Sequence, residues 1–157
     1  MTAIGWPNPP INYPITRLPD YLMYSVTKRI DFCYGHRLLD YDGICKHPHG
    51  HNATAEIEVR TGTLDNRNMV CDFSDIKRVV KGWIDRELDH KMLLRHDDPL
   101  VAPLQQLGEP VYLLDTNPTV ERIAKLIFDK AKEHGLPVVR VTVWETPTSF
   151  ADYRATS

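Results

Sequence analysis

Apolar and polar residues alternate along residues 52–60, where Ala53, Ala55, Ile57 and Val59 are interleaved with Thr54, Glu56, Glu58 and Arg60. A period of two is that of an extended chain with one buried and one wet face, so this stretch predicts a strand. Residues 21–32 are rich in β-branched and aromatic side chains and predict another. Turn chemistry at "LDNRN" (64–68) followed by "MVCDF" (69–73) predicts a short third strand closing a hairpin. The period then changes. Ile76, Val79, Val80, Trp83, Ile84 and Leu88 recur at steps of three and four behind Asp72 or Ser74 as the cap, which predicts an amphipathic helix ending near "ELDHK". Asn117 and Pro118 have the residue types of an N-cap and first helical position, and Val120, Ile123, Ala124, Ile127 and Ala131 form the stripe of a second helix that stops at Gly135. Val139, Val141 and Val143 alternate with Arg140, Thr142 and Trp144 in a last strand leading into Glu145. Hairpin-linked strands kept apart from helices predict an α+β domain, a four-stranded antiparallel sheet with two helices on one face.

Prolines at 7, 9, 10, 14 and 19 prevent a regular helix or central strand in residues 1–20, which read as an N-terminal arm ahead of a single domain at 21–157. The chain of 157 residues has 42% hydrophobic and 25% charged residues, the composition of one ordinary soluble domain. A formal charge of −2 with no basic stripe argues against nucleic acid or a membrane surface as partner and for a small ligand. The absence of a secretory leader pattern and of a long apolar run, with three cysteines, leads to the expectation of a cytoplasmic protein with free thiols.

Composition says nothing about "CKHPHGH" at 45–51, which gathers one cysteine and three histidines into seven positions. Imidazoles are poor core fillers. His49 and His51, two apart at the entrance to a strand, project from one face and can share a metal ion. Catalytic zinc sites commonly take three protein ligands, and His36, after the first strand, is the candidate third, with His47 as the rival. Cys45 lies close enough to reach the same cavity. It reads either as a thiol activated for proton transfer or as a fourth ligand that closes the site.

"FCYGHRL", "CKHPHGH", "MVCDFSDIK", "LDHKML", "NPTVERIA" and "VWETP" occur in the order and spacing of the 6-pyruvoyl-tetrahydropterin and 6-carboxytetrahydropterin synthase family, which the chain resembles over about residues 22–154. The resemblance implies the tunnelling fold, assembled as a homohexamer built from two trimers with active sites between subunits. It implies Zn2+ on His36, His49 and His51, and catalysis by Cys45 with the pair Asp89 and His90. It implies that Glu145 anchors the pterin ring, with Thr119 and Glu121 lining the pocket. The implied substrate is 7,8-dihydroneopterin triphosphate. "VCDF" is similar to the queuosine-linked branch, which forms 6-carboxytetrahydropterin with release of triphosphate and acetaldehyde; the alternatives are the pyruvoyl-forming reaction and an inactive zinc-stabilised pterin-binding module. "CYG" at 33–35 departs from the family's usual small residues, which bears on side-chain specificity. Cys33 and Cys71 read as ordinary buried thiols.

Overall fold

The computed structural model describes residues 23–155; the proline-rich arm lies outside the described residues. Strands β1 (Tyr24–His36) and β2 (His49–Thr61) pair antiparallel along their whole length, from Tyr24 opposite Thr61 to His36 opposite His49. A short 3-10 turn, Ile44–Lys46, sits in the loop between them. Helix α1 (Phe73–Ile76) runs through a π-helical stretch, Lys77–Lys81, into α2 (Gly82–Glu87). Strand β3 (Lys91–Arg95), helix α3 (Val101–Gln106) and strand β4 (Val111–Leu114) follow. The long helix α4 (Val120–Glu133) leads into the hairpin of β5 (Val138–Thr146) and β6 (Ser149–Arg154).

The strands form one six-stranded sheet in the order β4-β3-β1-β2-β5-β6. This corrects the expectation of four antiparallel strands: β3 runs parallel to both β1 and β4, and β6 adds an antiparallel edge beyond β5. The strand expected at 69–73 does not form. Asp65 takes the amide hydrogens of Arg67 and Met69 on its carboxylate, closing a local turn, and Asp72 accepts from the Ser74 amide as the cap of α1. Those side-chain bonds compete with a ladder for the backbone.

Alternation along the strands puts Ile30 and Phe32 of β1, Ala53, Ala55, Ile57 and Val59 of β2, and Val141 and Val143 of β5 in one buried cluster with the stripes of the helices, among them Ile84, Leu88, Ile123 and Ile127. Helix α4 ends as its sequence requires. Gly135 has φ +80, its amide bonds the Lys132 carbonyl at 2.9 Å, and the Leu136 amide reaches back to Ala131 at 3.2 Å. That pattern satisfies the last carbonyls of a helix and demands a left-handed residue, which glycine supplies without strain. The N-terminal cap differs from the sequence reading, since Thr119 rather than Asn117 accepts the Arg122 amide. Asn117 instead clamps Leu39, taking its amide at 2.9 Å and donating to its carbonyl at 2.8 Å. This tie holds the start of α4 against the chain leaving β1.

Candidate metal centre

The core face of the sheet changes character at one end. Following Ile30 and Phe32 along β1, the next positions on that face are Tyr34 and His36; their register partners on β2 are His51 and His49. The two histidines of "HGH" therefore project from one face. Between them Gly50 faces Gly35, and a Cβ at Gly50 would stand 3.1 Å from the Tyr34 carbonyl. The close approach of the two backbones is what requires glycine in the motif.

Nitrogens of His36, His49 and His51 all lie within 4.8 Å of one another. Hydrogen bonds fix the tautomers of His36 and His49. His36 Nδ1 is 2.7 Å from the Pro118 carbonyl and His49 Nδ1 is 2.8 Å from the His47 carbonyl. A carbonyl only accepts, so both Nδ1 atoms carry the hydrogen and each Nε2 keeps its lone pair. Those two Nε2 atoms face each other at 3.0 Å. Two lone pairs at that separation repel unless a cation lies between them. The Nε2 of His51 is buried with no hydrogen-bond partner at all. Three ring nitrogens thus converge, two of them set lone pair against lone pair and the third without a hydrogen bond, which is the donor set of a metal ion. Burial holds His36 below the ordinary imidazole range, against the Pro118 carbonyl and the Glu145 charge, so it is neutral and free to ligate. His47, the rival ligand, contributes its backbone carbonyl and not its ring.

Glu145 continues the same face past Val141 and Val143, and its Oε1 lies 3.6 Å from His36 Nε2 and 3.7 Å from His51 Nε2. It accepts a hydrogen bond of 2.7 Å from the Tyr34 hydroxyl. Tyr34 is buried and packed between Phe32, His36 and His51. Burial, with the neighbouring carboxylate, pushes the phenol far above its usual range, so it remains a donor. Tyr34 was not foreseen as a site residue beyond its effect on pocket shape; its place two residues before His36 on the same strand face was the available signal.

Cys45 sits in the 3-10 turn, half-buried, its carbonyl accepting the Leu38 amide at 2.9 Å. It belongs to neither donor cluster of the described chain. Asp89 and His90 do form a pair, with His90 Nδ1 2.9 Å from the Asp89 carboxylate. Burial pushes the Asp89 carboxyl up, but bonds from the Cys33 amide and from His90 outweigh it and hold the group below the usual range. This pair stands beside Cys33, on the opposite face of the sheet from the three histidines, and not beside Cys45 of the same chain. Thr119 is engaged as the cap of α4, directly after the Pro118 carbonyl that orients His36. Glu121 is exposed in the first turn of that helix.

The sequence model of 6-pyruvoyl tetrahydropterin synthase matches residues 25–156. The chain is 38% identical over 137 residues to the 6-carboxy-5,6,7,8-tetrahydropterin synthase of Rickettsia typhi, and the match covers 83% of this chain and 99% of the relative. The enzyme of the same name from Rickettsia bellii is 35% identical over 137 residues, with the same shares covered. Among solved structures, the 6-pyruvoyl tetrahydropterin synthase of Caenorhabditis elegans superposes with a TM-score of 0.65 at 23% identity, covering 85% of this chain and 96% of that one, a likeness of fold. With the model spanning nearly all the described residues and these relatives matched almost end to end, the chain belongs to the 6-pyruvoyl tetrahydropterin synthase family.

Proposed function

We propose that the chain is a zinc-dependent 6-carboxy-5,6,7,8-tetrahydropterin synthase that converts 7,8-dihydroneopterin triphosphate, with water, to the carboxylated tetrahydropterin, triphosphate and acetaldehyde. The observation that carries this reading is the convergence of three imidazole rings, with His51 Nε2 buried and without a partner among the described residues, beside a carboxylate at one end of the sheet. The names of the relatives support the carboxy-forming branch.

His36, His49 and His51 hold the ion. When bound, zinc supplies a double positive charge that polarises the substrate's side-chain oxygens and acidifies the protons next to them. The pterin edge presents a ring N–H beside an exocyclic amine, two parallel donors that one carboxylate accepts together. Glu145 is that acceptor. Tyr34, donating to Oε1, fixes its orientation. Thr119 and Glu121 frame the pocket from the start of α4. Cys45, as thiolate, takes a proton from the side chain, and the Asp89–His90 pair returns one to the ring, Asp89 holding the His90 tautomer. Because one chain keeps Cys45 apart from its own Asp89 and His90, a neighbouring copy supplies the pair, and the working enzyme is a homo-oligomer assembled from trimers.

Replacing Cys45 with alanine tests the division of roles. The expected outcome is loss of turnover with zinc content unchanged, measured by product chromatography and elemental analysis. Loss of zinc in that variant would instead make Cys45 a structural ligand.

A further inference from the structure

The reading above gives the Asp89–His90 pair one thiol, Cys45. The structure places a different one against it. Cys33 lies on β1 between Phe32 and Tyr34, and strand alternation turns its side chain away from the core and the three histidines. Its sulfur, a carboxylate oxygen of Asp89 and a ring nitrogen of His90 lie within 4.8 Å of one another.

Three backbone and side-chain bonds build this cluster across more than fifty residues of sequence. The Cys33 amide donates to Asp89 Oδ1 at 2.8 Å, the Cys33 carbonyl accepts the His90 amide at 2.8 Å, and Asp89 Oδ2 takes His90 Nδ1 at 2.9 Å. His90 adopts a left-handed φ of +57 to do so. A histidine there is less favourable than glycine or asparagine, yet it presents the imidazole beside the sulfur. With Nδ1 bound to the carboxylate, Nε2 is the atom left to exchange a proton. The cluster borders an open surface depression of about 390 Å³ whose lining includes Cys33, Tyr34, His51, Asn52, His90 and Met92. A thiol, a carboxylate and an imidazole oriented by that carboxylate, all within 4.8 Å of one another, are the parts of an acid–base unit.

We propose that Cys33, Asp89 and His90 form a second acid–base unit of the enzyme, in which the Cys33 thiol exchanges a proton with a pterin ligand bound at this depression. In the step, the S–H bond breaks, its proton passes to the ligand atom, and the thiolate recovers a proton from the His90 imidazolium, leaving neutral imidazole held by Asp89. No electron is transferred. One pair therefore serves two thiols, Cys33 of its own chain and Cys45 of a neighbour. The ligand class rests on the proposed function; the reactivity of Cys33 does not.

The test uses the zinc-loaded full chain. Iodoacetamide labelling at pH 7 is followed by peptide mass spectrometry, so that Cys33 and Cys71 are read in one sample. Burial pushes the Cys71 thiol up, which makes it the slow internal reference. Cys33 is expected to label measurably faster than Cys71 and to fall back toward the Cys71 rate in His90→Asn. Asparagine tolerates the left-handed backbone, so this variant keeps the fold. Cys33→Ala is expected to lower kcat about a hundredfold with KM and zinc content unchanged, the lower end of what a positioned acid–base group contributes. Equal labelling of Cys33 in wild type and His90→Asn overturns the proposal, as does a Cys33→Ala enzyme with unaltered kcat. A wild-type protein that makes no pterin product, yet labels fast at Cys33, would overturn the proposed reaction and leave the reactive thiol standing.

Discussion

Two of the three histidines are held by a backbone carbonyl as well as by their strand. Pro118 fixes His36, the His47 carbonyl fixes His49, and the Gly35–Gly50 contact sets the spacing that brings His51 alongside. Removing one ring leaves two donors, one fewer than a catalytic zinc site commonly takes from protein. His49→Ala is expected to lose its metal on dialysis while wild type keeps about one ion per chain, as elemental analysis would show; a full complement in the variant would refute the ligand set. The pairing of His49 with His51 was legible because a period of two in an extended chain fixes which rings share a face. Cys33 was not legible as part of a cluster. A lone thiol inside a strand carries no mark of what lies 56 residues away, and Asp89 reaches it only through the turn after α2.

Between elements, short polar ties hold the metal-bearing end of the sheet. Asn117→Ala removes both bonds to Leu39, leaves a backbone amide and carbonyl unpaired, and is expected to cost about 2 kcal/mol in urea unfolding. The metal should also bind more weakly, because the neighbouring Pro118 carbonyl loses its anchor. Arg37, next to His36, donates through Nε to Asp98 at 2.7 Å, and the Asp98 side chain is fully buried. Burial raises the Asp98 carboxyl, but the Arg37 bonds and the Leu100 amide more than offset this and hold it below its ordinary range. A carboxyl depressed in the folded state contributes stability above its unfolded pKa of about 4 and loses it as the pH falls through the folded value. Asp98→Asn should therefore be less stable than wild type by about 3 kcal/mol near neutral pH, with the gap closing below about pH 4. A gap unchanged down to pH 2 would show that the ion pair does not supply it. The long strands and both main helices were legible from periodicity. The strands β3, β4 and β6 were not: "KMLLR", "VYLL" and "SFADYR" are too short for a period to decide, and the parallel pairing of β1 with β3 comes from tertiary packing.

In the molecule as a whole, the sheet ends at β4 on one side and β6 on the other, two edges with no further strand beside them among the described residues. The assembly proposed above would join such edges between copies and bring a neighbour's Asp89 and His90 to Cys45. No helix of the described residues is long and apolar enough to cross a membrane. Site, fold and kinship meet in one reaction. The measurement that tests it most directly is incubation of the zinc-loaded protein with 7,8-dihydroneopterin triphosphate, followed by mass spectrometry of the products. The account predicts 6-carboxy-5,6,7,8-tetrahydropterin together with acetaldehyde and triphosphate. A product that keeps all three side-chain carbons as 6-pyruvoyl-tetrahydropterin, or substrate recovered unchanged, would contradict it.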